Sequence, residues 1–257
     1  MSALATPVYE IRAEARRPGF GRLTRIELRK MLDTRSGLWF SLAVAAVTLI
    51  TVIITALVKG GHDATLARMF NNSVEPAAIL LPVLGVLLVC GEWSERTTLT
   101  TFTLVPDRGR ILQAKLAAAI LLAIAALAVC LVCSVVFGEL LPAPGGAGSV
   151  SIVVFAQGLV FLTATMVIGV AFGAAIMFSA PAIVIYLLLP TAWDALSSTI
   201  HPLKTLSHWL AVGPTLGPLA THSFSATDWA HAGTTIALWM MLPLAIGVWR
   251  FSHCDVN

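Results

Sequence analysis

Apolar residues along this chain gather into long unbroken runs that are separated by shorter polar stretches. A run of about 20 apolar residues has the length a helix needs to cross a hydrocarbon layer of about 30 Å. A membrane barrel would instead show alternating apolar and polar positions, which these runs lack. The pattern therefore predicts an all-α polytopic membrane protein with six transmembrane helices. The predicted spans cover residues 38–58, 74–91, 116–137, 152–178, 181–200 and 229–250.

A different pattern precedes the first span, between residues 20 and 35. Apolar side chains recur there at helical spacing, although Ile26 and Glu27 break the stripe. Basic residues gather on the opposite side of the same helix, namely Arg22, Arg25 and Arg29. Because a basic amphipathic helix beside a span typically lies in the membrane interface, we predict that residues 1–37 contain an interfacial helix. The alternative is a solvated helix with a few apolar residues.

The composition and the distribution of charge agree with this topology. The chain is 58% hydrophobic and 11% charged, whereas soluble domains carry about 25% charged residues. Of its 16 Lys and Arg residues, 13 lie in the N-terminal segment, in the loop 92–115 or at the C-terminus. Positively charged loops stay on the cytoplasmic side of the membrane. We therefore predict a multi-pass plasma-membrane protein whose two termini, including the tail 251–257, are cytoplasmic.

Side chains that support catalysis or metal binding are sparse in the predicted spans. Ionisable residues are expected at or near span ends: Glu75, Glu92, Glu139, Asp194 and Arg250. The chain contains neither H-E-x-x-H nor G-x-S-x-G, and its histidines lack the spacing of a metal site. We predict no catalytic residue, no metal site and no nucleic-acid partner. A secondary transporter or channel and an intramembrane enzyme stay open as alternatives.

Two local patterns add detail to the six spans. In the fourth span, Gly169 and Gly173 have the small-xxx-small spacing that lets two helices approach closely. We therefore predict that both glycines pack against another helix. Between the last two spans, residues 201–228 are apolar but interrupted by proline and glycine, which predicts short interfacial or re-entrant helices.

The most informative polar segment joins the second and third predicted spans, and it reads GEWSERTTLTTFTLVPDRGRILQAK from Gly91 to Lys115. It carries charges of both signs, and its Pro-Asp-Arg-Gly sequence favours a turn. The segment is expected to form a rigid charged elbow on the cytoplasmic side that docks on a partner protein and transmits motion to two helices. The alternative is an ordinary charged loop anchored to the lipid surface.

This segment resembles that of type-2 ATP-binding-cassette (ABC) transporter permeases, a mostly exporting class. Those permeases typically show Gly-Glu and then Arg and Thr after the second span, followed by a proline, an arginine and a lysine before the third. The matching residues here are Gly91-Glu92, Arg96-Thr97, Pro106-Asp107-Arg108 and Lys115. Thr97-Thr98 departs from the Gly-Thr of many members. The layout, with a basic N-terminal helix, six spans and a broken segment before the last span, is also similar.

The resemblance implies a function and assigns residues to it. Residues 92–110 would contain the coupling helix that contacts a separate ABC ATPase, residues 20–35 would be the connecting helix at the membrane interface, and residues 201–228 would be external re-entrant elements. The implied coupling residues are Glu92, Glu95, Arg96, Pro106, Arg108, Arg110 and Lys115. The expected activity is ATP-driven export of an amphipathic or hydrophobic substrate, and drug or antibiotic efflux is a class-level expectation.

The chain has no G-x-x-x-x-G-K-[ST] phosphate-binding loop. We therefore expect a transporter subunit that is not itself an enzyme and has no cofactor of its own, with ATP and Mg on the partner ATPase. Because one six-span chain would form only half of such a translocation path, a second permease subunit, identical or different, is expected as well. The sequence leaves the substrate and the direction of transport open.

Overall fold

The computed structural model of the chain describes residues 19–58, 65–94, 108–140, 149–200, 203–220 and 224–253. These residues form helices and short connections, and no β-strand occurs among them. The helices are α1 (Phe20–Asp33), α2 (Arg35–Val58), α3 (Leu66–Ser94), α4 (Arg108–Leu140), α5 (Ile152–Ile176), α6 (Ser179–Thr199), α7 (Lys204–Leu210), α8 (Val212–Leu216), α9 (Ala226–Ile236) and α10 (Leu242–His253). A 3₁₀ turn, Gly217–Ala220, follows α8, and a π-helical turn, Ala237–Met241, joins α9 to α10.

Six helical segments in the described part are long and apolar enough to cross a membrane. They are Arg35–Leu57, Leu66–Gly91, Gly109–Leu140, Ile152–Ile176, Ser179–Thr199 and Ala226–Arg250. The last of these combines α9, the π-helical turn and most of α10. The prediction of an all-α polytopic membrane protein is therefore confirmed.

Two helices begin earlier than the predicted spans, because α3 starts at Leu66 and α4 starts at Arg108, each about eight residues before the apolar run. The added turns, LARMFNNS in α3 and RGRILQAK in α4, interrupt the apolar run with polar residues, but most of their residues, such as Leu, Ala, Met, Arg and Lys, favour helix. One expectation therefore needs correction. Glu75 does not lie at a helix end but nine residues inside α3.

Helices α3 and α5 form the centre of the bundle. Two thirds of the apolar segment of each is buried, against 6% for α6. The two helices approach so closely at Gly169 that a Cβ atom there would lie 2.7 Å from the Cα of Pro82. At Gly173 the corresponding distance to the Cα of Val86 is 3.1 Å. The structure thus places Gly169 and Gly173 of α5 against the backbone of α3.

Successive spans run in opposite directions, so the helix ends collect at two ends of the bundle. The α1 end contains α1, the end of α3 and the start of α4. The opposite end contains α7, α8 and the start of α9. There, Trp239 donates from its indole Nε1 to the carbonyl of Leu210 at 2.7 Å, and Thr235 donates to the carbonyl of Trp209 at 2.9 Å. These bonds hold the broken segment between α6 and α9 against the last span.

A tight corner connects α1 to α2. The backbone N–H of Thr34 donates to the carbonyl of Lys30 at 3.3 Å, and the Thr34 hydroxyl accepts from the N–H of Gly37 at 3.2 Å. A Cβ atom on Gly37 would lie 2.8 Å from the carbonyl carbon of Met31 and equally close to the Thr34 hydroxyl. Only glycine fits this position, because the nearest atoms belong to the backbone and to a bonded side chain.

Replacing Gly37 with alanine is expected to destabilise the chain by about 3 kcal/mol or more, because the added methyl group would overlap the backbone carbonyl of Met31 and force α1 away from α2. The matched control is Gly21→Ala in α1, where an added Cβ meets no atom within 4 Å. That substitution should leave the stability unchanged or raise it by up to about 1 kcal/mol, since alanine favours helix. Thermal unfolding of the detergent-solubilised chain measures both, and equal melting temperatures would contradict the tight corner.

Candidate functional site

The inward face of α1 contains one charged residue. Leu23, Thr24, Glu27 and Met31 are buried, and they recur at the three- and four-residue spacing of one helix face. Glu27, which interrupts the apolar stripe in the sequence, therefore points towards the bundle. The three arginines of the predicted interfacial helix lie on the exposed side of α1, namely Arg22, Arg25 and Arg29.

The partner of Glu27 is Lys115, seven residues after the start of α4 and only 1% exposed. The ammonium Nζ of Lys115 donates to Oε2 of Glu27 at 2.6 Å and to the backbone carbonyl of Leu88 at 3.1 Å. The other oxygen of Glu27, Oε1, accepts from Nζ of Lys30 at 2.9 Å. We call this group of Glu27, Lys115 and the Leu88 carbonyl the polar junction. It joins α1, α3 and α4 at one point.

Burial makes the polar junction sensitive to movement. Removing a carboxylate and an ammonium from water costs several kcal/mol for each ion, and only close pairing with further hydrogen bonds offsets that cost. Lys115 satisfies two of its three N–H donors in the bonds described above. If the pair were stretched, both charges would lose the 2.6 Å contact between them in a low-dielectric environment. The three helices are therefore expected to move together or to separate in a discrete step.

The residues of the predicted coupling set fall in different places. Glu95, Arg96 and Pro106 lie outside the described residues. Glu92 lies in the last turn of α3, and Arg108 is the first residue of α4. Arg110 is half-buried, and Lys115 lies in the polar junction. Because Lys115 is buried, its effect on a partner protein would have to pass through Glu27 and the helices that surround it.

Glu27 was not among the residues predicted to be functional, although the sequence contains a signal for it. Glu27 lies four residues after Leu23 and four before Met31, so it occupies the apolar face of a predicted amphipathic helix. A carboxylate on such a face needs a partner. The sequence did not show which cation supplies it, because Lys115 follows 88 residues later.

No protein-family model matches this chain. A search of curated proteins gives no match either. The polar junction, the charge distribution and the six apolar helices are therefore the observations that support a function.

Proposed function

We propose that this chain is the transmembrane permease subunit of an ATP-driven exporter of the type-2 ABC class, and that it works with a separate ATPase subunit. The observation that carries the proposal is the polar junction. It joins α1, α3 and α4 close to the last turn of α3 and the first turn of α4, which are the described ends of the charged segment 92–110. A force applied to that segment would reach three helices at once, which is what coupling to an external motor requires.

The charge distribution supports the orientation that such a motor needs. The N-terminal segment, the loop after α3 and the C-terminus together hold 13 of the 16 basic residues. By the positive-inside rule, the α1 end would face the cytoplasm of a cell whose plasma membrane holds the chain. The ATPase, which binds ATP and Mg, would then contact the segment 92–110 from that side.

The proposed cycle uses two packings of the same helices. Closure of the ATPase on ATP would displace the ends of α3 and α4 together, and the ion pair between Glu27 and Lys115 would make α1 follow. Packed helices change between discrete arrangements rather than deforming continuously. Alternation between two arrangements, together with a second permease subunit, would expose the path to each side in turn. The proposed substrate is amphipathic or hydrophobic.

Reversing the charges of Glu92 and Arg96 together, by Glu92→Arg and Arg96→Glu, is expected to abolish binding of the ATPase. The tagged chain is purified from its native membrane, the bound ATPase is identified, and ATP turnover is measured in lipid. Turnover stimulated by the permease should fall at least about tenfold, because like charges across a contact repel. The control is Lys204→Glu, an exposed site at the opposite end. Unchanged assembly and turnover would refute the coupling role, and purification without any ATPase would refute the proposal.

A secondary transporter is the second candidate, and the position of Glu75 inside α3 favours it. Carboxylates within membrane spans often mark ion pathways. Proteoliposomes that contain the chain alone decide between the two candidates. Flux driven by an ion gradient in the absence of ATPase would support the second candidate and contradict the first.

A further inference from the structure

Two cavities lie beside Glu75, in the half of the bundle nearer the opposite end. The first, of about 310 Å³, is a partly open cleft lined by α3, α5, α6 and residues 212–217. The second, of about 490 Å³, lies between α2 and α3. Glu75 and Ile79 line both cavities, so Glu75, which is exposed at the surface of the bundle, lies at the boundary between them. The first cavity is large enough for a small organic ligand.

If α3 crosses the hydrocarbon layer, Glu75 and Glu92 cannot both lie outside it. Only 16 residues separate Glu75 from Glu92, and they extend about 24 Å as a helix, less than the hydrocarbon thickness of about 30 Å. One of the two carboxylates must therefore enter the apolar layer. The proposed cytoplasmic contact of Glu92 assigns that position to Glu75. Within the described residues, no lysine, arginine or histidine side chain hydrogen-bonds Glu75 or lines either cavity.

A second carboxylate lines the first cavity. Oδ2 of Asp194 accepts from the backbone N–H of Gly213 at 3.0 Å, and this bond joins α6 to the broken segment that closes the cavity. Oδ1 of Asp194 is buried and has no hydrogen-bond donor in the part of the chain that the structure describes. A buried acceptor without a donor is costly, and a charged donor nearby would offset that cost.

Most of the remaining wall of the first cavity is apolar or aromatic, although Thr165 and Thr191 also line it. Phe161, Ile168 and Leu187 line the first cavity together with Tyr186, whose ring packs edge-on against Phe172 with centroids 6.0 Å apart. Aromatic rings attract cations over their faces, and apolar walls favour a ligand with a hydrocarbon body. The carboxylates and the aromatic rings would therefore both favour binding of a cation over binding of an anion.

We propose that these two cavities form a binding site for an organic cation with an apolar body, which Glu75 and Asp194 recognise by charge. This inference rests on the proposed function, because it names the chemical class of the exported substrate. A bare divalent metal fits less well, since calcium and magnesium need six or more oxygen ligands. The described residues contain no group of three His, Cys, Asp or Glu side chains that could hold a metal. Anions would be repelled by the same two carboxylates.

The test uses two probes of nearly equal size and opposite charge, tetraphenylphosphonium and tetraphenylborate. The full-length chain is placed in phosphatidylcholine nanodiscs, and saturable binding is measured by equilibrium dialysis against empty nanodiscs. The phosphonium should bind saturably and the borate should not. Glu75→Gln should weaken phosphonium binding at least about tenfold, and Asp194→Asn should act in the same direction. The matched control is Glu139→Gln, an exposed carboxylate near the end of α4 that lines neither cavity.

The outcomes are separable from those of the proposed function. Absence of saturable phosphonium binding, equal binding of the borate, or an unchanged affinity in Glu75→Gln would each overturn the inference. If Asp194→Asn misfolds because the bond to Gly213 is lost, Glu75→Gln decides the question, since no described hydrogen bond involves its side chain. The assay contains no ATPase, so its result does not depend on whether an ATPase co-purifies.

Discussion

Replacing Lys115 with methionine is expected to destabilise the folded chain by about 3–5 kcal/mol, which is the usual effect of removing one partner of a buried ion pair. Methionine matches the length of the lysine stem but supplies no charge. Glu27 would keep only its bond to Lys30, whose side chain is 41% exposed. The Leu88 carbonyl would lose its additional donor as well. Unfolding by dodecyl sulfate in mixed micelles, followed by tryptophan fluorescence, measures the change.

The matched control for Lys115 is the ion pair between Arg29 and Asp33, both of which belong to α1. Nε of Arg29 lies 3.6 Å from Oδ2 of Asp33, and both side chains are more than 70% exposed. Because exposed pairs are screened by water, Arg29→Met should change the free energy of unfolding by less than about 0.5 kcal/mol. Similar effects of the two substitutions would show that Lys115 is not held as the structure describes.

A double-mutant cycle separates the pair from simple loss of packing. Glu27→Gln combined with Lys115→Met removes both charges. No unpaired carboxylate is then left buried, as it is in Lys115→Met alone. The double variant should therefore be more stable than the sum of the two single changes predicts, by at least about 1 kcal/mol. Strict additivity would mean that Glu27 and Lys115 do not interact, and the polar junction would then carry no coupling.

Much of the fold follows from local patterns. Six apolar runs predict six helices because backbone groups in lipid must be satisfied within each segment. The spacing of Leu23, Glu27 and Met31 is likewise enough to define one face of α1. These features depend on residues that lie within a few turns of one another, which is the range that a sequence pattern reports.

The parts that could not be predicted depend on distant partners. The spacing of Gly169 and Gly173 favours close packing against another helix. It does not show that their neighbours are the backbone atoms of Pro82 and Val86 in α3. The helical turns before the second apolar run contain Arg68, Asn71 and Asn72, so the predicted span began only at residue 74, which placed Glu75 at a helix end and hid its position between two cavities. Tertiary contacts of this kind are set by the packing of whole helices.

The contact between α3 and α5 leads to a graded prediction. Gly169→Ala should destabilise the chain by more than about 3 kcal/mol, because the new Cβ would lie 2.7 Å from the Cα of Pro82 and backbone cannot rotate away. Gly173→Ala should cost about 1–3 kcal/mol, since its nearest atom is 3.1 Å away and a shift of a few tenths of an ångström relieves the contact. Size-exclusion chromatography after heating measures the surviving fraction of each variant.

Gly233→Ala in α9 is the control for these two substitutions, because an added Cβ meets no atom within 4 Å there. It should be neutral or stabilise the chain by up to about 1 kcal/mol through helix propensity. The order of the three variants tests the packing itself. A general preference for small residues in membrane helices would penalise Gly169 and Gly173 equally, whereas the observed distances penalise Gly169 more. A larger loss at Gly173 would place the closest approach of α3 and α5 one turn further along the bundle than the structure does.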